Sequence, residues 1–376
     1  MRSSIRAEVS EAVTSERAGA QPAAQARGRI RDDATSSWLV RHPSEWRQVG
    51  IVAAYQGLLA LMLFVPACRH PLPFVLACLL SFLNAVVIHN HLHRGVFHSH
   101  ALNMLWRLIL SFGALYPASA NVPSHNLVHH HFGDDGQPDW ADPGRVRFRW
   151  NLLNLLHFPN IAGPTTFAGV DRWAKTTRQR GFVRQYTTEL AFAFGLTAAA
   201  MVYDFWGALL FIALPQLYGA RSILRINLIQ HDATDMASEW NHSRNFVGRA
   251  FNWIMCNNGY HTIHHNRAGL HWSELAEAHR REVAPRIDPR LDEPSMVLYL
   301  LRTYVLKARR PRAEGLREVT LADDLESREL RRAEPIIGPT LRRALPPLRA
   351  ALVLVPIAWL ARRVDASLVL GHLASL

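Results

Sequence analysis

The chain has 376 residues, of which 49% are hydrophobic, and its formal net charge is +12 at pH 7. This length is enough for more than one soluble domain, but the apolar residues are gathered in blocks, which is typical of a membrane protein. No recognisable nucleic-acid-binding module accompanies the positive charge, so we predict no nucleic-acid partner. Cys68, Cys78 and Cys256 lack CxxC spacing, which argues against an iron–sulfur cluster or a disulfide framework.

The N-terminal segment has the composition of an unfolded tail. Residues 1–36 are rich in Ala, Ser, Arg and Glu and show little apolar periodicity. Such a segment cannot bury enough apolar surface to fold, so we predict a disordered tail over residues 1–40. It also lacks the apolar stretch of a signal peptide.

Apolar runs predict membrane-spanning helices. The hydrocarbon core of a bilayer is about 30 Å thick and needs about 20 apolar residues per helix. We place spans at 49–67, 72–92, 187–203 and 205–224. Short runs of this kind can also be buried helices of a soluble protein. Two adjacent pairs, each joined by a short turn, favour two membrane hairpins.

Nine histidines lie outside these runs or at their ends, in four groups. They are His89 and His93; His125, His129 and His130; His231; and His261, His264 and His265. A neutral imidazole offers a lone pair to a metal ion. Two histidines four residues apart on a helix point to one side, whereas adjacent ones diverge by about 100°. Neighbouring rings could therefore serve two different metal ions.

The number and type of these ligands narrow the choice of metal. Imidazole suits zinc, copper, iron and nickel. A zinc site takes only about four ligands, so nine imidazoles fit two ions of higher coordination number better. Carboxylate-rich di-iron bundles use two Glu-x-x-His motifs, but only Glu239 and His242 have that spacing near these groups.

The four groups can share metals only if they lie on one side of the membrane. The run at 101–119 must then lie in the interface or re-enter, because a crossing there would separate the first two groups. Arg107 within it, and Pro117 and Pro123 after it, fit a broken or interfacial helix. Two later spans return the chain to the same side.

That side is predicted to be cytoplasmic. Arginines such as Arg47, Arg94, Arg145 and Arg225 flank the spans on the histidine side, whereas the predicted turns at 68–72 and 203–207 carry only Arg69. This is the positive-inside pattern. We therefore expect an all-α integral membrane fold with about four transmembrane helices in two hairpins, interfacial helices and a cytosolic histidine-rich cap. A membrane domain is placed at 45–285. Residues 286–376 are predicted as a charged cytosolic tail with a short apolar segment at 350–360.

The motifs resemble those of the membrane fatty acid desaturase superfamily, which includes acyl desaturases, alkane hydroxylases and carotenoid-modifying enzymes. Its three histidine boxes, HxxxH or HxxxxH, HxxHH or HxxxHH, and HxxHH, match residues 89–93, 125–130 and 261–265. The string at 93–97 is similar to the HRS-aromatic run that closes the first box in acyl desaturases. Residues 257–272 resemble their third-box region, and the resemblance covers about residues 45–285.

This resemblance implies two iron ions, with dioxygen as co-substrate. In the stearoyl-CoA desaturase branch, an Asn-x-x-x-His after the last span adds a histidine and a water-linked asparagine, and Asn227 and His231 have this spacing. The implied metal-site residues are His89, His93, His125, His129, His130, Asn227, His231, His261, His264 and His265. No catalytic residue beyond these ligands and no organic-cofactor site is predicted.

Extra histidines beside the boxes create alternative registers. These are His91, His98, His100 and His131, and the pair His93 and His98 alone would have HxxxxH spacing. We prefer His89 and His93, because the 94–97 run then follows the second ligand. The acidic residues Asp134, Asp135, Asp139 and Asp142 either orient ligand imidazoles or form a solvated loop.

The motifs are compatible with two reaction outcomes, desaturation and hydroxylation. Removal of two hydrogens would make the protein an acyl desaturase, the leading interpretation. The HNxxHH form of the second box is typical of alkane hydroxylases, so a hydroxylase or ketolase of an alkane, fatty acyl chain or carotenoid is the alternative. A metal-binding or transport protein is disfavoured, because transporters place ligands near the bilayer midplane.

The predicted partners follow from the resemblance and the charge. The substrate is a lipid or acyl chain held in the membrane. The sequence shows no fused cytochrome and no flavin or nicotinamide glycine fingerprint, so electrons must come from an external donor. A basic cytosolic face would suit an acidic ferredoxin, rubredoxin or cytochrome b5-like protein.

Overall fold

The computed structural model describes residues 38–131, 139–146 and 148–306, and these are mostly helical. The predicted segment at 350–360 and nearly all of the predicted tail at 1–40 lie outside the described residues. The α-helices are α1 Glu45–Phe64, α2 Pro71–His93, α3 His100–Ala114, α4 Asn151–Thr177, α5 Arg180–Tyr203, α6 Phe205–His231, α7 Arg249–Ile254, α8 His261–Asn266, α9 Leu275–Ala278 and α10 Met296–Leu300. Helix α6 contains a π-helical turn at Leu209–Ala213.

Three helices are long and apolar enough to cross a membrane, namely α1, α2 and α6. They contain three of the four predicted spans. The fourth predicted span lies in α5, which has 24 residues but is not among the three. The buried Glu189 and the neighbouring Thr187 and Thr188 lower its mean hydropathy. Three helices that are both long and apolar enough, rather than four, are therefore found in the described residues, and these three are here called the membrane-length helices.

An ion pair joins the two turns at one end of the bundle. Arg69 Nη1 lies 2.5 Å from Asp204 Oδ2. The same guanidinium donates to the carbonyl oxygens of Met62 and Leu63, at 2.6 Å each. These are terminal carbonyls of α1, which have no partner within the helix. Arg69 thus caps α1 and holds the turn after α1 beside the turn after α5.

The short helix α3 ends inside the bundle instead of crossing it. Its last carbonyls accept hydrogen bonds from polar side chains of the membrane-length helices. Tyr55 donates to Gly113 at 3.0 Å, Asn84 to Leu110 at 3.0 Å and Gln216 to Phe112 at 2.7 Å. A helix end away from water needs such partners, because unsatisfied carbonyls are costly there. The chain then reverses through Leu115, which has a φ of 53°.

Helix α2, which carries His89 and His93, and helix α6, which ends at His231, pack closely along each other. The closest approach is at Gly219 of α6, where an added Cβ would lie 2.1 Å from Ser81 Oγ and 2.4 Å from the Ser81 carbonyl oxygen. Small residues at helix crossings allow this approach in membrane proteins. The contact fixes the relative height of the two histidine-bearing ends.

The segment after α6 carries the third histidine box and folds with it. It contains a two-residue parallel ladder between β1 Asn245–Phe246 and β2 Asp292–Glu293. Ile287 and Leu291 pack with Ile263 and Trp272 in one apolar cluster. Residues beyond the predicted domain boundary at 285 therefore belong to the same folded body, up to Leu306 at the end of the described chain.

Candidate metal centre

The four histidine groups meet at one end of α2 and α6. His89 and His93 occupy the last two turns of α2, and His231 is the last residue of α6. The third box lies on α8. The second box lies on the π-helix Val122–Val128 and the 3₁₀ turn His129–His131 that follows. Residues from four separate segments are thereby brought to one place.

Eight of the predicted ligands form two groups of four. The first group is His89, His93, His125 and His264; the second is His129, His231, His261 and His265. Within each group, one nitrogen from every ring lies within 4.8 Å of the others. Two nitrogens each about 2.1 Å from a shared ion and at right angles lie about 3 Å apart. The Nε2 atom of His261 lies 2.9 Å from that of His231 and 3.1 Å from that of His265.

His130, the ninth predicted histidine ligand, lies between the two groups. Its Nε2 is 3.1 Å from His125 Nε2, on the side of the first group. Its ring also stacks on that of His265 in the second group, with centroids 4.4 Å apart. His130 therefore adds a nitrogen beside the first group and adjoins both.

The helix type explains how the second box is divided. The α-helical pairs His89–His93 and His261–His265, four residues apart, each stay within one group, as expected. His125 and His129 have the same spacing but fall in different groups. His125 lies in the π-helix Val122–Val128, whereas His129 and His130 lie in the 3₁₀ turn that follows, so the regular α-helical alignment of residues four apart is lost between them. His125 is therefore paired with His130.

Adjacent histidines face different groups, as the sequence predicted. His264 belongs to the first group and His265 to the second. Both lie on α8, where consecutive side chains diverge by about 100°. One short helix thus contributes to both candidate sites.

Several ring nitrogens in the first group are buried without a hydrogen-bond partner among the described residues. These are the Nε2 atoms of His89, His93 and His264. A buried polar atom without a partner is costly. A metal ion bound by these nitrogens would remove that cost, so the donor set fits a metal.

The electrostatics keep the rings in the form that binds metal. Burial, followed by the charge of neighbouring imidazoles, lowers the pKa of His125, His261, His264 and His265 well below its usual value. These rings are therefore neutral near neutral pH, and each retains a lone pair for coordination.

Two of the rings are oriented through their second nitrogen. His129 Nδ1 lies 2.7 Å from Asp139 Oδ2. Burial acts to raise the pKa of Asp139, but the charge and hydrogen bond of His129 outweigh it and lower the pKa. His231 Nδ1 donates to the carbonyl oxygen of His242 at 3.0 Å. Such bonds fix the tautomer and direct Nε2 toward the metal side.

Of the acidic residues predicted to orient ligands, Asp139 has this contact. Asp142 instead accepts from the amide of Gly144 at 2.7 Å. Asp134 and Asp135 lie outside the described residues. The His242 carbonyl was missed, and no sequence signal could have revealed it, because every residue carries a carbonyl.

Asn227 lies one turn before His231 and is half-buried. Its Nδ2 donates to the carbonyl oxygen of Ala141 at 3.1 Å. No described residue donates a hydrogen bond to its amide oxygen, so this oxygen is open to a water molecule. The contact ties α6 to the segment that follows the second box, next to Asp139.

The rival histidines are placed away from the two groups. His98 and His100 are exposed. His91 is buried, but its Nε2 lies 3.4 Å from Arg107 Nε and its Nδ1 3.4 Å from the amide nitrogen of Val96, so that the ring can accept from one of these two donors. The geometry therefore brings together His89 and His93 in the first box, the preferred register.

A buried polar chain that the sequence did not reveal supports the centre. Glu45, 1% exposed, accepts from His271 at 2.8 Å and from Gln48. Gln48 accepts from Asn90 at 3.4 Å, and Asn90 from Asn258 at 2.9 Å. The chain links the first turn of α1 to segments adjoining the first and third boxes.

The fold and site together define a helical membrane protein with two adjacent histidine-lined candidate metal sites. The fatty acid desaturase family model matches residues 66–294, so the chain belongs to the fatty acid desaturase family. That membership indicates an oxidoreductase-type enzyme. No curated protein and no solved structure gives a significant match to the chain.

Proposed function

We propose that this protein is an oxygen-dependent membrane di-iron enzyme that introduces a double bond into a fatty acyl chain. The observation that carries the proposal is the pair of four-histidine groups, each within 4.8 Å, in a chain of the fatty acid desaturase family. Imidazole ligands suit iron, and two sites match the iron pair of that family.

In this proposal, the first ion is held by His89, His93, His125 and His264, with His130 beside it. The second is held by His129, His231, His261 and His265. Asn227 is proposed to hold a metal-bound water through its amide oxygen, while its amide nitrogen remains on Ala141. An iron pair bound here would supply dioxygen activation and removal of hydrogen from an unactivated methylene.

The protein's own residues perform the positioning. Asp139 and the His242 carbonyl hold two imidazoles in the tautomer that presents Nε2. Burial lowers the pKa of rings such as His264 and so keeps them neutral, and the surrounding apolar helices exclude water from the hydrocarbon substrate. Two hydrogens from the acyl chain, with two electrons and two protons from an external donor, reduce dioxygen to two waters.

The proposed setting is an integral membrane protein with its histidine boxes and termini toward the cytoplasm. The electron donor is proposed to be a ferredoxin, rubredoxin or cytochrome b5-like protein, attracted to the basic face. The proposed substrate is a lipid or acyl chain entering from the bilayer.

Lipid profiling by mass spectrometry of cells with and without the gene tests the proposal. Desaturation predicts acyl chains that have lost two hydrogens. A gain of one oxygen would instead establish the hydroxylase alternative, which the HNxxHH form of the second box supports. Unchanged lipids together with altered metal content of the cells would favour a metal-binding or transport protein.

A further inference from the structure

An apolar surface lies outside the membrane-length helices. Helix α10 and the π-helical segment Leu301–Leu306 that continues it form one short apolar helix, Met296–Leu306. Val297, Leu298 and Leu301 on it are exposed by 61%, 64% and 45%. Single exposed apolar residues are ordinary on a protein surface, but a cluster on one short helix marks a contact site.

The inner side of this helix lies in an apolar cluster that also includes residues of α2 and α6. Tyr299 and Tyr304 are buried in one apolar cluster with Val86 of α2 and Ile226 of α6. Val86 lies seven residues before His93, which is about 10 Å along the helix axis. The cluster therefore extends from the metal centre back along α2, which is long and apolar enough to cross a membrane, and Met296–Leu306 shares this cluster.

The one charge of this segment lies in an ion pair with Glu293, which also pairs with Arg244. Arg302 is the only charged residue between positions 296 and 306, and its Nη2 lies 2.5 Å from Glu293 Oε1. Its guanidinium also lies 5.8 Å from the ring of Tyr299. A long basic side chain paired in this way can sit at the edge of a bilayer while its helix contacts lipid.

Helix α7 extends the same surface. Its Phe251 ring is 5.8 Å from Phe246, which in turn is 5.7 Å from Tyr299. On the outer side of α7, Trp253 and Ile254 are exposed by 68% and 47%. Trp253 also lies 5.9 Å from the guanidinium of Arg47, in the first turn of α1. That turn begins a membrane-length helix, and tryptophan is enriched at the membrane–water interface.

We propose that α7 and Met296–Leu306 form a lipid-facing ledge that inserts into the bilayer leaflet on the histidine side. The ledge consists of Trp253, Ile254, Val297, Leu298 and Leu301, and its occupant is the acyl and glycerol region of that leaflet. The apolar cluster shared with α2 and α6, the pairing of Arg302 with Glu293 and the level of Trp253 all fit lipid. The part of the ledge at 297–301, which the sequence placed in a cytosolic tail, thus lies at the membrane surface.

The ledge also reaches the metal centre. Tyr304 donates to Asp232 Oδ2 at 3.1 Å, directly after the ligand His231. Asn151, at the start of α4, donates to the Thr303 carbonyl at 3.3 Å. Insertion of the ledge therefore fixes the chain beside one candidate ligand.

Site-directed labelling of the full chain in lipid nanodiscs tests the proposal without needing metal or substrate. Cys68 is replaced by Ser, and Leu298→Cys or Val297→Cys, measured separately, is labelled with an environment-sensitive fluorophore. Nitroxide groups on the acyl chains should quench both labels severalfold more than iodide in the buffer. Both positions are exposed, so a cysteine there leaves the core intact.

Two reference positions calibrate the result. Leu76→Cys on α2, where the side chain is 45% exposed, reports lipid contact. Glu277→Cys on α9, where the side chain is 52% exposed, reports water. Iodide quenching at 297 and 298 equal to that at 277 would overturn the proposal. Protection from both quenchers would also overturn it, because another part of this chain or a second protein would then cover the ledge.

Discussion

Neighbouring histidines in this centre differ in role because of one step along a helix. His264 and His265 face different groups on α8, and His129 and His130 divide in the same way across the second box. Because the helix type changes at the second box, His125 is paired with His130 and not with His129, four residues on. The ligand arrangement therefore depends on backbone geometry as much as on residue spacing.

The first prediction concerns His265, which belongs to the second group and stacks on His130. We expect His265→Ala to abolish turnover and to lower the bound iron, while the protein still inserts in the membrane. His265 Nε2 is 3.1 Å from His261 Nε2, so its loss removes one of four close nitrogens. Elemental analysis and activity of the purified protein provide the measurement.

The matched control for His265 is the exposed His98, which lies outside both groups. His98→Ala should leave iron content and turnover unchanged. Full activity of His265→Ala would remove this residue from the site and contradict the proposed ligand set.

A second prediction separates two roles of Asn227. If its amide oxygen holds a metal-bound water, Asn227→Leu should reduce turnover per bound iron by roughly tenfold or more, as for other groups that support ligands. If the residue only donates to Ala141, the loss of that bond should lower stability by about 1 kcal/mol. Turnover per iron would then be unchanged, and Asn227 would leave the site.

Among the elements, α2 and α6 do most to align the histidines, because each presents ligands at its end. They meet at Gly219 and Ser81, far along the helices from the histidines they present. The polar side chains that satisfy the end of α3 come from these two helices and from α1. The short helix is thus held by the same frame that positions the ligands.

The third prediction tests this frame. Gly219→Ala should destabilise the protein by about 1–3 kcal/mol, the usual range for overpacking, because the new methyl group meets the Ser81 backbone. The variant should also bind iron more weakly, because the added methyl group moves α2 and α6, and the histidines at their ends, apart. Thermal unfolding in detergent and iron content of the purified variant are the measurements.

Gly57→Ala on α1 is the control, because nothing lies within 4 Å of the added Cβ. It should be neutral or slightly stabilising, since alanine is favoured over glycine within a helix by about 0.5–1 kcal/mol. Equal effects of the two substitutions would contradict the importance of the α2–α6 contact.

At the scale of the whole molecule, the two ends of the bundle differ. One end carries the paired turns joined by Arg69 and Asp204. The other carries the histidines, the ladder of β1 and β2, and α9. A membrane around α1, α2 and α6 would separate these two ends.

The fourth prediction follows from this separation. Cysteines introduced at Leu72 and at Glu277 should react with an impermeant reagent from opposite sides, with Glu277 facing the cytoplasm. Both positions are exposed, Leu72 by 72%. Labelling of intact cells and of inverted vesicles gives the answer, and reaction from the same side would contradict the placement of the spans.

The sequence by itself determined the nine histidines, their division into four groups and three of the apolar helices. These features follow from local spacing and composition, which persist whatever the tertiary contacts. It also indicated that adjacent histidines could serve different metals, because a helix turns by a fixed angle per residue.

Only the tertiary structure decided which histidines meet, because His89 and His264 are brought together by packing between distant segments. It also decided that the second box is divided between a π-helix and a 3₁₀ turn, and that residues beyond 285 pack onto the bundle. Packing further selected the His242 carbonyl and the buried Glu45 as partners. Such contacts depend on the spatial arrangement of whole helices, which the local sequence pattern does not encode.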